Sequence, residues 1–155
     1  MPSGIYLLGS QSGDTRNVMT LNWATQVSTA PKLMGVSVEN SALTHRLITE
    51  RGLFTLSVVS RDDRTVVRKF VKPCVDHRSA MTLNGIAYLD ARTTGLPVLA
   101  DALGYFECEL TTQVYFESHT LFIGEVIDVF VGPAIAGAET VEVLSMQDTR
   151  MNYGG

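Results

Sequence analysis

The sequence is poor in the residues that most metal and nucleophile chemistries need. Among 155 residues there are two cysteines and three histidines. Cys74 and Cys108 stand far apart, and His45, His77 and His119 fall at no metal-ligand spacing, so no metal site is expected. The cysteines read as reduced thiols of a cytoplasmic protein, Cys108 on an inward strand face, and nothing requires a disulfide. No Gly-x-Gly-x-x-Gly loop is present, which argues against a Rossmann nucleotide site, and no hydrolase motif appears. Basic runs are missing and the net charge is −4, so nucleic acid is not an expected partner. Neither a signal-peptide pattern nor an apolar run long enough for a bilayer is found, and no membrane association is expected.

What is there suits one domain over residues 1–155. Apolar residues make up 45% of the chain, enough for a real core. Gly4–Ser10 reads as a first strand and Gln11–Asp14 as a turn. Val18–Ser28 then alternates small or polar side chains (Val18, Thr20, Asn22, Ala24, Gln26, Ser28) with mainly apolar ones (Met19, Leu21, Trp23, Thr25, Val27). Such alternation predicts a strand with one hydrogen-bonding face. Ala30-Pro31 ends it, and Leu33–Val38 predicts a second strand, buried on both faces. Ser41 is the expected N-cap of a helix carrying Leu43, Leu47 and Ile48, with Gly52 as its C-cap.

Phe54–Ser60 predicts a strand with one buried face, and Arg61–Lys72 a helix with the stripe Val66, Val67, Phe70 and Val71, closed by Pro73. A short strand is expected within Leu83–Leu89. From Tyr105 onward, Phe106, Cys108, Leu110, Val114 and Phe116 share one face and Glu107, Glu109, Thr111 and Gln113 the other. Thr120–Val131 is its hairpin partner, faltering at Gly124-Glu125, where a bulge or a close backbone approach is expected. Val141–Met146 predicts a last strand, and Asn152–Gly155 an end segment. Many short strands with few helices close most economically as a small barrel.

One junction points to a ligand. A strand feeding a helix whose first turn holds Ser41 and Thr44 presents free N–H groups, a helix dipole and two hydroxyls to an anion. The same residues also make an ordinary capped helix.

The segments MTLNWATQVS, LMGVSV, SALTHRLI, GLFTLSVVS, RKF, GLPVLADALGYFECEL and HTLFIGEVIDVFVG stand in this order over nearly the whole chain. Together they resemble the flavin reductase-like family of FMN-binding split barrels. The resemblance implies a mainly β fold with short helices: a six-stranded split β-barrel of Greek-key topology, usually a homodimer. It implies FMN as cofactor, with FAD as the alternative flavin, and NADH or NADPH as co-substrate. Matching positions give Thr20, Asn22, Trp23, Ala24, Thr25, Ser37 and Val38 beside the flavin ring and ribityl chain. Ser41 and Thr44 match the phosphate seat, with Lys69 as an added cation.

His119 is the candidate catalytic residue, since the family's Gly-Asp-His triplet places its histidine near flavin and nicotinamide. Here the triplet is Glu117-Ser118-His119. Losing the glycine removes easy access to positive φ, and losing the aspartate removes an acceptor, so a reshaped turn is expected. The implied activity is an NAD(P)H:flavin oxidoreductase, which could supply reduced flavin to a partner monooxygenase. The alternatives are an FMN-binding electron carrier that does not oxidise a nicotinamide, or a split barrel holding another planar cofactor such as haem or a deazaflavin.

Overall fold

The computed structural model describes residues 3–136 and 140–151. The chain opens with an antiparallel hairpin, β1 (Tyr6–Ser12) and β2 (Thr15–Leu21), turned at Gly13, whose φ of 53° suits glycine. After β2 the chain breaks at Asn22-Trp23 and resumes as β3 (Ala24–Thr29), so the single strand expected over Val18–Ser28 is two. A turn through Ala30-Pro31 leads into β4 (Lys32–Glu39), followed by α1 (Leu43–Arg51) and β5 (Leu53–Val58). Gly52 ends α1 in the left-handed conformation and donates to Ile48 O, as its position predicts.

Short strands β6 (Asp76–His77), β7 (Thr82–Leu83), β8 (Ile86–Asp90) and β9 (Pro97–Leu99) form a small second sheet. The long hairpin β10 (Gly104–Tyr115) and β11 (His119–Val131) completes the main one. Among the described residues no helix is long and apolar enough to cross a membrane.

The main sheet runs β2-β1-β5-β10-β11-β4-β3 with every pairing antiparallel. Its two edges are consecutive in the chain, joined by Asn22-Trp23 alone. The sheet is therefore rolled on itself, with a split in the ladder where β2 passes into β3. Counting β2 and β3 as one bent strand gives six. β5 returns to lie beside β1 after three consecutive neighbours, which is the Greek-key order. Inside the roll pack Leu8, Leu21, Val36, Val38, Ile48, Phe54, Leu56, Cys108 and Phe122. A second core, with Ile5, Val18, Val67, Phe70, Leu83, Tyr88 and Leu144, lies between the β1–β2 hairpin and the segment 66–99.

Several expectations fail for identifiable reasons. Val18 to Leu21 are all buried, because β2 is covered on both sides. Arg61–Lys72 forms two 3-10 turns, Arg61–Asp63 and Val66–Phe70. Carbonyls an α-helix would use are taken from outside: Thr20 Oγ1 donates to Val67 O at 2.5 Å and Asn84 Nδ2 to Lys69 O at 2.8 Å. Glu107, on the face of β10 opposite Phe106 and Cys108, is nevertheless fully buried. Its carboxylate accepts from Thr94 N (2.6 Å), Thr94 Oγ1 (2.8 Å) and Thr93 N, so the burial is satisfied by one turn. Val141–Met146 makes isolated bridges, Val143 with Ser60 and Ser145 with Gly4, in place of a full strand. Asn152–Gly155 lies outside the described residues.

The expected irregularity near Gly124 is present in both forms. Thr111 is the extra residue of a bulge between Leu110 and Thr112, opposite Gly124 and Ile123. A Cβ on Gly124 would stand 2.6 Å from Phe54 Cε1 and 3.0 Å from Cys108 Cβ. Gly124→Ala should therefore destabilise the fold by about 1–3 kcal/mol through overpacking. Urea unfolding checks this, and an unchanged midpoint would mean that the Phe54 ring has room to swing.

Candidate functional site

The roll dictates which side chains face out. Val36 and Val38 of β4, and Phe122 and Thr120 of β11, are fully buried. Alternation then turns Gly35, Ser37 and Glu39 outward, and with them their cross-strand partners Ile123, Leu121 and His119. Thr25 of β3 pairs with Gly35 and joins that face. A groove of about 540 Å³ runs over it, lined by Asn22, Trp23, Ala24, Thr25, Gly35, Ser37 and Leu121, with Ser3 and Gly4 at one side. Gly35 keeps it open: a Cβ there would approach Val27 Cγ2 to 2.9 Å. At one end the Trp23 ring lies 4.9 Å from the His119 ring, tilted by 47°.

Further along the same face of β4 lies a second cleft of about 280 Å³, where Glu39 and Ser41 meet Thr44, Lys72 and Asn17. It sits at the start of α1, which has no side-chain cap. The N-cap is Ala42, not Ser41; the Ser41 hydroxyl instead donates to Glu39 Oε1 at 2.9 Å. Ala42, Leu43 and Thr44 line this concavity, and among the described residues no side chain caps the N-terminus of α1. Thr44 is buried at its floor, and Asn17 Nδ2 donates to Thr44 Oγ1 at 2.9 Å. A hydroxyl that accepts in this way keeps its own proton to donate. Asn17 Oδ1 accepts from Cys74 N at 2.9 Å, so one side chain anchors both walls.

Most of the expected positions converge here. Asn22, Trp23, Ala24, Thr25 and Ser37 line the groove, Ser41 and Thr44 line the cleft, and His119 stands against Trp23. Three do not reach either concavity. Thr20 is fully buried and spends its hydroxyl on Val67 O, and Val38 is a core residue on the opposite face from Ser37. Lys69 lines a separate cleft with Asp63, Thr65 and Asp101, because the 3-10 geometry turns it away. The lysine beside Ser41 and Thr44 is Lys72. Its signal was Pro73, which ends the 66–72 segment at the cleft mouth; the signal for Asn17 was its place at the head of the alternating stretch.

The thiols take no part in this chemistry. Burial pushes Cys108 up to about 12, and Cys74, whose Sγ donates to Val18 O at 3.2 Å, is also raised by burial.

Known proteins resemble this chain over most of its length. The flavin reductase like domain matches residues 1–153. The NADH-dependent flavin reductase of Pseudomonas fluorescens is 30% identical over 125 residues, covering 80% of this chain and 69% of that protein. Among solved structures, the styrene monooxygenase flavin reductase of Pseudomonas putida superposes with a TM-score of 0.72. It is 28% identical, with 86% of this chain and 82% of that one covered. A Streptomyces globisporus NADH:FAD oxidoreductase, solved with NAD and FAD fragments, gives a TM-score of 0.80 at 25% identity, covering 100% and 87%. This chain belongs to the flavin reductase like domain family.

Proposed function

We propose that the protein is an NAD(P)H:flavin oxidoreductase that carries hydride from NADH or NADPH to FMN held on the outer face of β3, β4 and β11. The observation that carries this is the alignment, on one face of β4, of an apolar groove with an uncapped helix start beside a lysine. Bound flavin supplies the two-electron acceptor. Thr25, Gly35, Ser37 and Leu121 form the bed for its ring, and Asn22 and Ala24 border it. Ser41, Thr44, Lys72 and the α1 N–H groups would take the phosphate. His119, beside Trp23 at the groove's end, orients the nicotinamide.

Removing the phosphate from the ligand tests the seat. FMN should bind better than riboflavin, and Ser41→Ala combined with Lys72→Ala should erode that preference by about 1–3 kcal/mol. Equal affinities in the unmodified protein reject the assignment.

For His119, the expected result of His119→Ala is slower NAD(P)H oxidation, followed at the nicotinamide absorbance band, with FMN affinity nearly unchanged. If the unmodified protein binds FMN but oxidises neither nucleotide, the electron-carrier reading replaces this one.

The groove's surroundings support a homodimer. Trp23, Tyr115 and Phe116 are 42%, 58% and 59% exposed, and Val27 and Val114 extend the apolar surface. Phe122 is not part of it, being core, and Phe130 stacks on Tyr105 at 5.1 Å. A second copy laid over this patch would wall in a planar ring that one open groove retains poorly. Light scattering at micromolar concentration should give twice 16.9 kDa; a monomer that still holds FMN tightly would rule the wall out. A flavin-dependent monooxygenase fits as the consumer of reduced flavin, and a cytoplasmic setting fits thiols kept reduced.

A further inference from the structure

The turn joining β10 to β11 carries His119, yet it contains neither glycine nor a residue at positive φ. Among the described residues the non-glycine left-handed positions are Met81, Asn84 and Arg150. Its form is set from outside. Asn40, just past the end of β4, donates from its backbone N to Ser118 O at 2.9 Å and from Nδ2 to Phe116 O at 2.9 Å and Glu117 O at 3.2 Å. Three successive carbonyls of the turn are thus held by one residue, and Phe116 N closes it onto His119 O at 2.8 Å.

The remaining atom of that amide is held as well. Only an NH₂ can serve two carbonyls, so the other position is Oδ1, an acceptor. Thr120 Oγ1, fully buried, lies 2.8 Å from it and must donate its single proton there. The His45 Nε2 atom 2.8 Å from Thr120 Oγ1 must then be a donor. This fixes the tautomer of neutral His45, and the bond persists if the ring is protonated. Burial lowers the His45 pKa and favours the neutral form. The chain His45, Thr120, Asn40 runs from α1 through the barrel wall to the turn, with one proton orientation throughout.

We propose that Asn40, locked by Thr120 and His45, is the positioning residue that holds His119 against Trp23 at the end of the groove. It holds the turn's carbonyls from outside, while Ser118 Oγ, 2.9 Å from His119 Nδ1, meets the ring from within the turn. The inference deepens the reading of His119 given above, but its central test does not depend on activity. Trp23 is the only tryptophan, and an imidazole held 4.9 Å from the indole ring shields that side of it from a collisional quencher.

The acrylamide quenching constant of Trp23 emission, divided by that of free N-acetyltryptophanamide, should therefore be low in the unmodified protein and rise in His119→Ala. Asn40→Ala should move the ratio most of the way to the His119→Ala value. Thr120→Val should move it part of the way, and Thr120→Ser should restore it. In turnover, Asn40→Ala should raise the KM for the nicotinamide nucleotide roughly two- to tenfold, the range of one lost hydrogen bond, with kcat and FMN affinity held. An unmodified ratio in Asn40→Ala overturns the proposal. If that variant does not fold, equal ratios for Thr120→Val and Thr120→Ser do so. A shifted ratio with KM unchanged in both Asn40→Ala and His119→Ala keeps the positioning role and rejects the nicotinamide role of His119.

Discussion

A lapse in strand pairing at Asn22-Trp23, where Trp23 O already accepts from Ser37 N of β4 at 3.0 Å, governs this molecule. Before the lapse the chain pairs with β1, and after it with β4, so one covalent segment supplies both edges of the main sheet. A sheet whose edges are tied this closely must roll up, and the roll creates an inside that Phe54, Leu56, Cys108 and Phe122 fill. The same lapse exposes Trp23 at the corner and opens the groove beside it. Closure of the fold and access for a ligand therefore have one cause. A straight strand through this region would have paired along its whole length with β1 or with β4, leaving the other edge exposed.

Because the small barrel is filled by its own side chains, a large planar ligand has to lie outside. The alternation of β4 divides the labour cleanly: Val36 and Val38 serve the core while Gly35, Ser37 and Glu39 serve the surface. The candidate site is thus built from the outward half of strands whose inward half holds the fold together. Substitutions at Gly35 or Ser37 are expected to act on the ligand more than on stability. Those at Val36 or Val38 should do the reverse.

This division also explains what was legible in the sequence. Period-2 alternation announced the strands of the hairpin, and the ordered segments from Met19 to Gly132 pointed to the split barrel. Alternation could not reveal that β2 is covered on both faces, since Thr20 and Met19 look like opposite sides of an exposed strand until the 66–70 segment is laid over them. Glu107 read as solvent-facing because nothing local shows that a turn thirteen residues earlier supplies three donors to its carboxylate. Lys69 and Lys72 are separated by less than a helical turn, and only the 3-10 path decides which reaches the cleft. Local pattern carried the elements. Partners distant in sequence decided burial and aim.

Helix α1 gives the site its internal ruler. Its uncapped start bounds the cleft with Ser41 and Thr44, while His45, the next residue, reaches Thr120 on β11. Its far end is fixed where Gly52 O accepts from Leu110 N, next to the bulge on β10. The cleft beside Ser41 and Thr44 and the hairpin turn that carries His119 lie at the same end of β4, where Glu39 lines the cleft and pairs with His119, and both are referenced to a single nine-residue helix. Loops alone would let the cleft and the turn wander independently, and each would have to be ordered anew on binding. A shared rigid element removes that cost in advance, which is how a surface groove can hold two reactants in register.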